Sequence, residues 1–275
     1  MPADTEFSII EEFFSPLSRD ADGAAQLKDD VAVLARDDYV VTNDMMIAGV
    51  HCRADDALDD VARKLLRVNL SDLAAKGARP IGYFLACAWP AGATRKDIAA
   101  FVDGLERDQD AFHLALFGGD TTVHRDPSAP LVASVSMFGA PPRHGVVRRD
   151  GAASGDDVYV SGTIGDGFLG LQALEKKAAF SRTARAHVTA RYLTPTPRIV
   201  FGSAIAGFAS ATIDVSDGLI ADAGHIARAS GADLRIVLRA DELPLSEAAE
   251  GWIAAQDDEA AALAALASGG AKQAR

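Results

Sequence analysis

Cysteine is nearly absent from this chain: 275 residues contain two, Cys52 and Cys87, and no Cys-x-x-Cys. That excludes a disulfide framework and a cysteine-built zinc site, and leaves two buried reduced thiols as the default. Long apolar runs are absent as well. The most apolar short stretch, Ile81 to Trp89, is far too short to cross a bilayer. The N-terminal stretch carries Asp4, Glu6, Glu11 and Glu12 and has no apolar segment of the secretory kind. These features predict a cytoplasmic protein with no membrane partner. Basic residues are in deficit, 27 Lys+Arg against 39 Asp+Glu, for a net charge of −12. Such a surface repels nucleic acid and anionic lipid. The same acidity fits plain solubility, or cation binding through which a polyanionic substrate is held, and its sign alone decides neither.

What remains is ordinary globular composition, 49% hydrophobic and 24% charged, at a length suited to one large or two modest domains. The first half alternates strand-like and helix-like segments. Residues 31–34 and 39–42 read as short strands. Residues 57–76 read as a helix, with Leu58, Val61, Ala62, Leu65, Leu66, Leu70 and Leu73 recurring at threes and fours and Gly77 as its C-cap. Strands follow at 81–88, 114–117 and 131–139, with a helix over 95–113. The turn-rich segment after Gly139 places a domain boundary near 145–150, giving domains 1–148 and 149–275. The second half restarts a β/α pattern, with strands at 158–161, 212–215 and 234–238 and helices at 165–177, 182–192, 218–230 and 257–267. The fold class is α/β (α+β).

Several aspartates stand at strand ends or on a helix core face. Asp29 and Asp30 precede one strand, Asp44 and Asp120 follow others, and Asp214 and Asp217 flank a strand-to-helix turn. Positions 58, 62, 65, 69, 72 and 76 share one helix face, so Asn69 and Asp72 interrupt an apolar stripe. A carboxylate there costs several kcal/mol unless it is paired or metal-bound. Each aspartate taken singly also suits a turn or an N-cap. As a set they suit a hard cation such as Mg²⁺, which prefers oxygen ligands and works with substrate phosphates. No His/Cys cluster competes for a softer metal. Gly118-Gly119-Asp120-Thr121 offers close backbone approach beside an acid and a hydroxyl. It is not a P-loop, since the Gly-x-x-x-x-Gly-Lys-Ser/Thr pattern is absent. Gly162 to Gly167 reads as a strand–helix turn.

Read together, these motifs resemble the thiamine-monophosphate kinase family. The matching segments are Thr42 to His51, Asn69 to Ala78, Gly118 to Thr121, Arg149 to Ala152, Arg191 to Pro195 with Pro197-Arg198, and Ile213 to Leu219, in the family's order. The resemblance implies a two-domain fold shared with aminoimidazole ribonucleotide synthetase, with N-terminal domains paired into a homodimer and ATP near that interface. It implies γ-phosphoryl transfer from ATP to thiamine monophosphate, assisted by several Mg²⁺ ions. By the same likeness Asp30, Thr42, Asn43, Asp44, Asp72, Asp120, Asp214 and Asp217 hold metal, Gly119, Asp120, Arg149 and Ser216 contact ATP, and His51 lies near thiamine monophosphate. Lys28 stands where the family usually has glycine, and Asn43 replaces a hydroxyl residue. The family continues past the position of Gly270, so the second domain is expected to be incomplete. That keeps two alternatives open: another ATP-using enzyme of the same fold group, and an inactive nucleotide- and Mg²⁺-binding remnant.

Overall fold

The computed structural model describes residues 10–19, 39–231 and 233–269. The expected strand at 31–34, Lys28, Asp29, Asp30 and the last residues from 270 lie outside them. The chain divides into two compact units, one running to Leu73 and resuming over Ala78–Arg143, the other comprising Ala74–Gly77 and the residues from His144 onward.

The first unit contains β1 (Val40–Ile47), α1 (Leu58–Ala75), β2 (Arg79–Trp89), α2 (Arg95–Phe112), β3 (Ala115–Val123) and β4 (Val132–Ala140). The four strands form one sheet in the order β1-β4-β2-β3. β4 pairs antiparallel with both β1 and β2, while β2 and β3 are parallel and are joined through α2. The apolar stripe of α1 (Leu65, Leu66, Leu70, Leu73) and that of α2 (Ile98, Phe101, Leu105) are buried, as are Tyr83, Leu85, Cys87 and Trp89 of β2 and Val135 and Met137 of β4. Trp89 meets Phe101 edge to face at 5.4 Å. α1 ends as its sequence predicts. Gly77 adopts φ +66°, its N–H donates to Ala74 O, and the Ala78 N–H donates to Leu73 O. α2 starts in a capping box built by Thr94 and Asp97.

The other sheet face carries an aromatic cluster in which Phe84, Phe117 and Phe138 sit 5.8–6.1 Å apart and Tyr39 reaches Phe138 at 5.9 Å. Val41 and Met45 on β1 are about half exposed. Three strands are longer than the sequence predicts, β2 by two residues at its start and one at its end. β1 continues through Asn43 and Asp44, and β3 runs through Gly118-Gly119-Asp120-Thr121, past the expected strand end at Phe117. Glycine here serves packing between strands: a Cβ on Gly119 would lie 1.8 Å from Leu85 O.

The second unit contains α3 (Asp166–Leu174), α4 (Arg182–Leu193), α5 (Ile199–Ile205), α6 (Leu219–Ser230), α7 (Glu247–Ile253) and α8 (Glu259–Ser268). α3 and α4 cross closely, and a Cβ on Gly170 would lie 2.1 Å from Val188 O. Leu169, Ala173, Val188, Ala249 and Leu266 form the core. The expected strands at 158–161, 212–215 and 234–238 are not strands: among the described residues this unit has no β-ladder. β-Branched runs favour an extended chain, but a strand exists only where a neighbour's N–H and C=O groups line up with its own. Val158, Tyr159 and Val237 are accordingly exposed. α5 and α7 are helices that the sequence reading missed, being only seven residues each.

Candidate functional site

The two polar interruptions of the α1 stripe both reach β1. Asn69 is fully buried. Its Oδ1 accepts the Asp44 N–H at 3.1 Å, and its Nδ2 donates to Leu65 O at 2.9 Å. One turn on, Asp72 Oδ2 accepts the Thr42 hydroxyl at 2.5 Å. Strand alternation puts Thr42 and Asp44 on the helix-facing side of β1. A hydroxyl and two carboxylate-bearing residues therefore gather at the junction of β1 and α1.

Asn43 points the other way. Its Nδ2 donates to Ser136 Oγ at 2.8 Å and Val135 O at 3.0 Å, so it does not join Thr42, Asp44 and Asp72. Asp120 lies opposite Ala86, Ala86 opposite Ser134, and Ser134 opposite Met45. That is three strand spacings from β1, about 14 Å, too far for Asp120 to share a cation with Asp44 or Asp72 of the same copy. This register puts Asp120 on the aromatic-bearing face, the face that Asn43 also occupies.

His51 lies in the turn after β1, where Gly49 adopts φ +84°. The Ile47 N–H donates to His51 Nδ1 at 3.1 Å, which leaves the proton of a neutral imidazole on Nε2. Lys64 Nζ donates to His51 O at 3.2 Å. Lys64 is buried, and burial pushes its pKa down to about 8. Burial likewise pushes the neighbouring Cys52 thiol up to about 11 and raises the Asp56 carboxyl above its ordinary value. Lys64 was not singled out in the sequence, although a lysine inside the apolar run of α1 is the signal that marks it.

In the second unit Asp214 and Ser216 are partly buried and Asp217 is exposed. The N–H groups of Ser216 and Asp217 both donate to Asp222 Oδ2, at 2.9 and 3.0 Å. Asp222 is buried, and burial raises its pKa against the lowering effect of those two bonds. It shapes the Ser216-Asp217 turn and was missed in the sequence, where it reads as an ordinary first-turn acid. The backbone carbonyl of Arg149 accepts from Ser230 Oγ at 3.2 Å, and its side chain is exposed. Asp30 lies outside the described residues. Among the described residues no three Asp, Glu, His or Cys side chains converge as a protein-only metal cage requires, and no helix is long and apolar enough to cross a membrane.

Residues 28–140 match the family model described as AIR synthase related protein, N-terminal domain. A thiamine-monophosphate kinase of Caulobacter vibrioides is 46% identical over 269 residues, which cover 97% of this chain and 74% of that protein. The chain belongs to the thiamine-monophosphate kinase family. Among solved structures, the thiamine-monophosphate kinase from Stenotrophomonas maltophilia K279a aligns with a TM-score of 0.82 at 37% identity, covering 98% of this chain and 84% of that one. AaThiL complexed with AMPPCP and TMP aligns with a TM-score of 0.77 at 28% identity, covering 96% and 82%. The segments that carry the family resemblance in the first unit, Thr42 to His51, Asn69 to Ala78 and Gly118 to Thr121, fall on β1 and its turn, on α1 and its cap, and on β3.

Proposed function

We propose that this chain transfers the γ-phosphoryl group of ATP to thiamine monophosphate in the cytoplasm, giving thiamine diphosphate and ADP. The observation that carries the reading is the α1–β1 junction, where Asn69 and Asp72 leave the apolar stripe to hold Asp44 and Thr42, in a chain of this family. The acceptor is a phosphate monoester, largely ionised near neutral pH, so the reaction needs no strong general base. It needs two polyanions aligned and their repulsion offset.

Thr42, Asp44 and Asp72 present hard oxygen donors, which fit Mg²⁺. With few protein ligands gathered at one point, the ion would keep water and phosphate oxygens as its remaining ligands. Mg²⁺ held there would supply charge neutralisation for the phosphate groups. Asp30, Asp214 and Asp217 are proposed further ligands. Asn43 and Asp120 lie on the open sheet face, on opposite edge strands, apart from that cluster and from each other. Gly119, Asp120, Arg149 and Ser216 are assigned to ATP, with Asp222 fixing the backbone at Ser216. His51 is assigned to thiamine monophosphate, its ring oriented by the Ile47 N–H. The first unit, within residues 1–148, would be the ATP- and Mg²⁺-binding and dimerisation domain, and the second, 149–275, its partner domain. A second copy of this chain would cover the apolar face bearing Val41, Met45 and the aromatic cluster.

The test is ADP release from Mg²⁺-ATP with and without thiamine monophosphate, with thiamine diphosphate identified as product. Stimulation by the monophosphate is expected. ATP binding without stimulation would overturn the reading and identify a nucleotide-binding remnant.

A further inference from the structure

In a chain of net charge −12, α4 carries Arg182, Arg185, His187 and Arg191 and no acid. His187 and Arg191 are one helical turn apart and so share a face. His187 Nε2 lies 3.1 Å from Asp166 Oδ2, which sets that face over the turn from Gly162 to Asp166 that starts α3. Arg198 approaches the same turn from just ahead of α5. Its Nη2 lies 2.3 Å from where a Cβ of Gly162 would be, and Gly162 has φ +98°, so the guanidinium rests on bare backbone. Arg191 and Arg198 interact unfavourably with each other, and Arg191 is partly buried. Its pKa is lowered, by burial first and by Arg198 second.

The one acid that opposes this effect is Asp166, and its oxygens are already engaged. Oδ1 accepts from Ser246 Oγ at 2.5 Å, and Oδ2 faces both Thr163 Oγ1 and His187. Among the described residues neither Arg191 nor Arg198 forms an ion pair with a carboxylate. Arg198 lies on the bare backbone of Gly162, and Arg191 shares a helix face with His187, which meets Asp166 at the end of the same turn. With that carboxylate occupied, the two guanidinium groups are arranged for an anion supplied from outside. Their forked N–H donors suit tetrahedral oxyanions best.

We propose that Arg191 and Arg198 form a phosphate-binding pair over the Gly162–Asp166 turn. The ligand is a phosphate or pyrophosphate group, either free or as the terminal group of a phosphorylated substrate. The site lies wholly within the second unit and does not depend on the assigned reaction.

The test titrates the full chain with inorganic phosphate and with pyrophosphate, by calorimetry and ³¹P NMR, at two salt concentrations. Saturable binding that weakens with salt is expected, and it should weaken at least about tenfold in Arg198→Gln and in Arg191→Gln. Arg198 is exposed, so its variant keeps the fold, and circular dichroism checks this for both. Arg191→Lys should retain part of the affinity through its charge. Absence of saturable binding in the wild type, or unchanged affinity in both Gln variants, overturns the proposal. A second arm measures KM for each phosphorylated substrate in Arg198→Gln. A rise for one of them, with free phosphate competing against it, assigns the pair to that substrate. Unchanged KM values with intact phosphate binding in the wild type assign it to the free anion.

Discussion

Asp72 and Lys64 are both charged residues on a helix that otherwise packs a core, and they lead to different measurements. Asp72 accepts the Thr42 hydroxyl beside Asp44. Asp72→Asn keeps the shape and removes the charge, so Mg²⁺-dependent turnover should fall by about two orders of magnitude or more while the melting temperature changes little. Normal turnover in that variant would sink the metal assignment. Lys64 should appear in stability. Its folded pKa, about 8, lies below the unfolded value of about 10.4. Below pH 8 it is protonated in both states and its burial penalty is fully present. Above pH 8 the folded state sheds the proton first, so stability rises with pH. Cys52 acts oppositely, because its folded pKa of about 11 exceeds the ordinary thiol value of 9.0, and stability is lost as pH approaches and passes 9. Lys64 alone contributes a gain of about 1 kcal/mol between pH 8 and 9, partly offset by the two buried thiols Cys52 and Cys87, and a plateau or decline follows. Urea unfolding should show this gain in the wild type and not in Lys64→Met. Asp72 was legible in the sequence because it breaks a periodic pattern. Lys64 carries the same kind of signal, a charge inside an apolar run, whereas Asp222 carries none, because it works through the backbone groups of Ser216 and Asp217 that only the folded chain brings to it.

Among the elements, helices were easier to read than strands. α1, α2, α4 and α6 follow from local periodicity and caps, which are properties of one segment. The strands of the first unit were found but cut short at Asp44 and Gly118, because polar residues and glycine resemble strand ends until a partner strand is seen to pair with them. In the second unit three β-branched runs were read as strands, although the described residues place no ladder beside them. Gly119 shows the tertiary constraint most directly. Gly119→Ala would drive a methyl group into the Leu85 carbonyl, so stability should drop by about 1–3 kcal/mol. Gly92→Ala is the control, with nothing within 4 Å of the added methyl. Equal unfolding midpoints for the two variants would contradict the close β2–β3 packing.

For the whole molecule, the feature with the widest reach is a sheet with one face packed on helices and the other bearing Tyr39, Val41, Met45, Phe84 and Phe138. If a second copy covers that face, Met45→Lys should shift sedimentation toward the monomer at micromolar concentration and leave circular dichroism unchanged. An unaltered dimer would move the interface elsewhere. The net charge of −12 now divides into parts with different roles. Asp108 is buried against Arg63 and Arg67, Asp166 and Asp222 organise turns, and Asp44 and Asp72 stand at the α1–β1 junction.

Because Gly118 to Thr121 is a strand segment bonded to β2, this candidate nucleotide contact is ordered before any ligand arrives. A glycine-rich loop loses conformational entropy when it closes on phosphate, whereas here that loss belongs to folding. The amides of this segment that point toward β2 should therefore exchange slowly with deuterium in the free protein. Adding ATP should slow them little further, and ligand-induced protection should appear instead in the turn bearing Ser216 and Asp217.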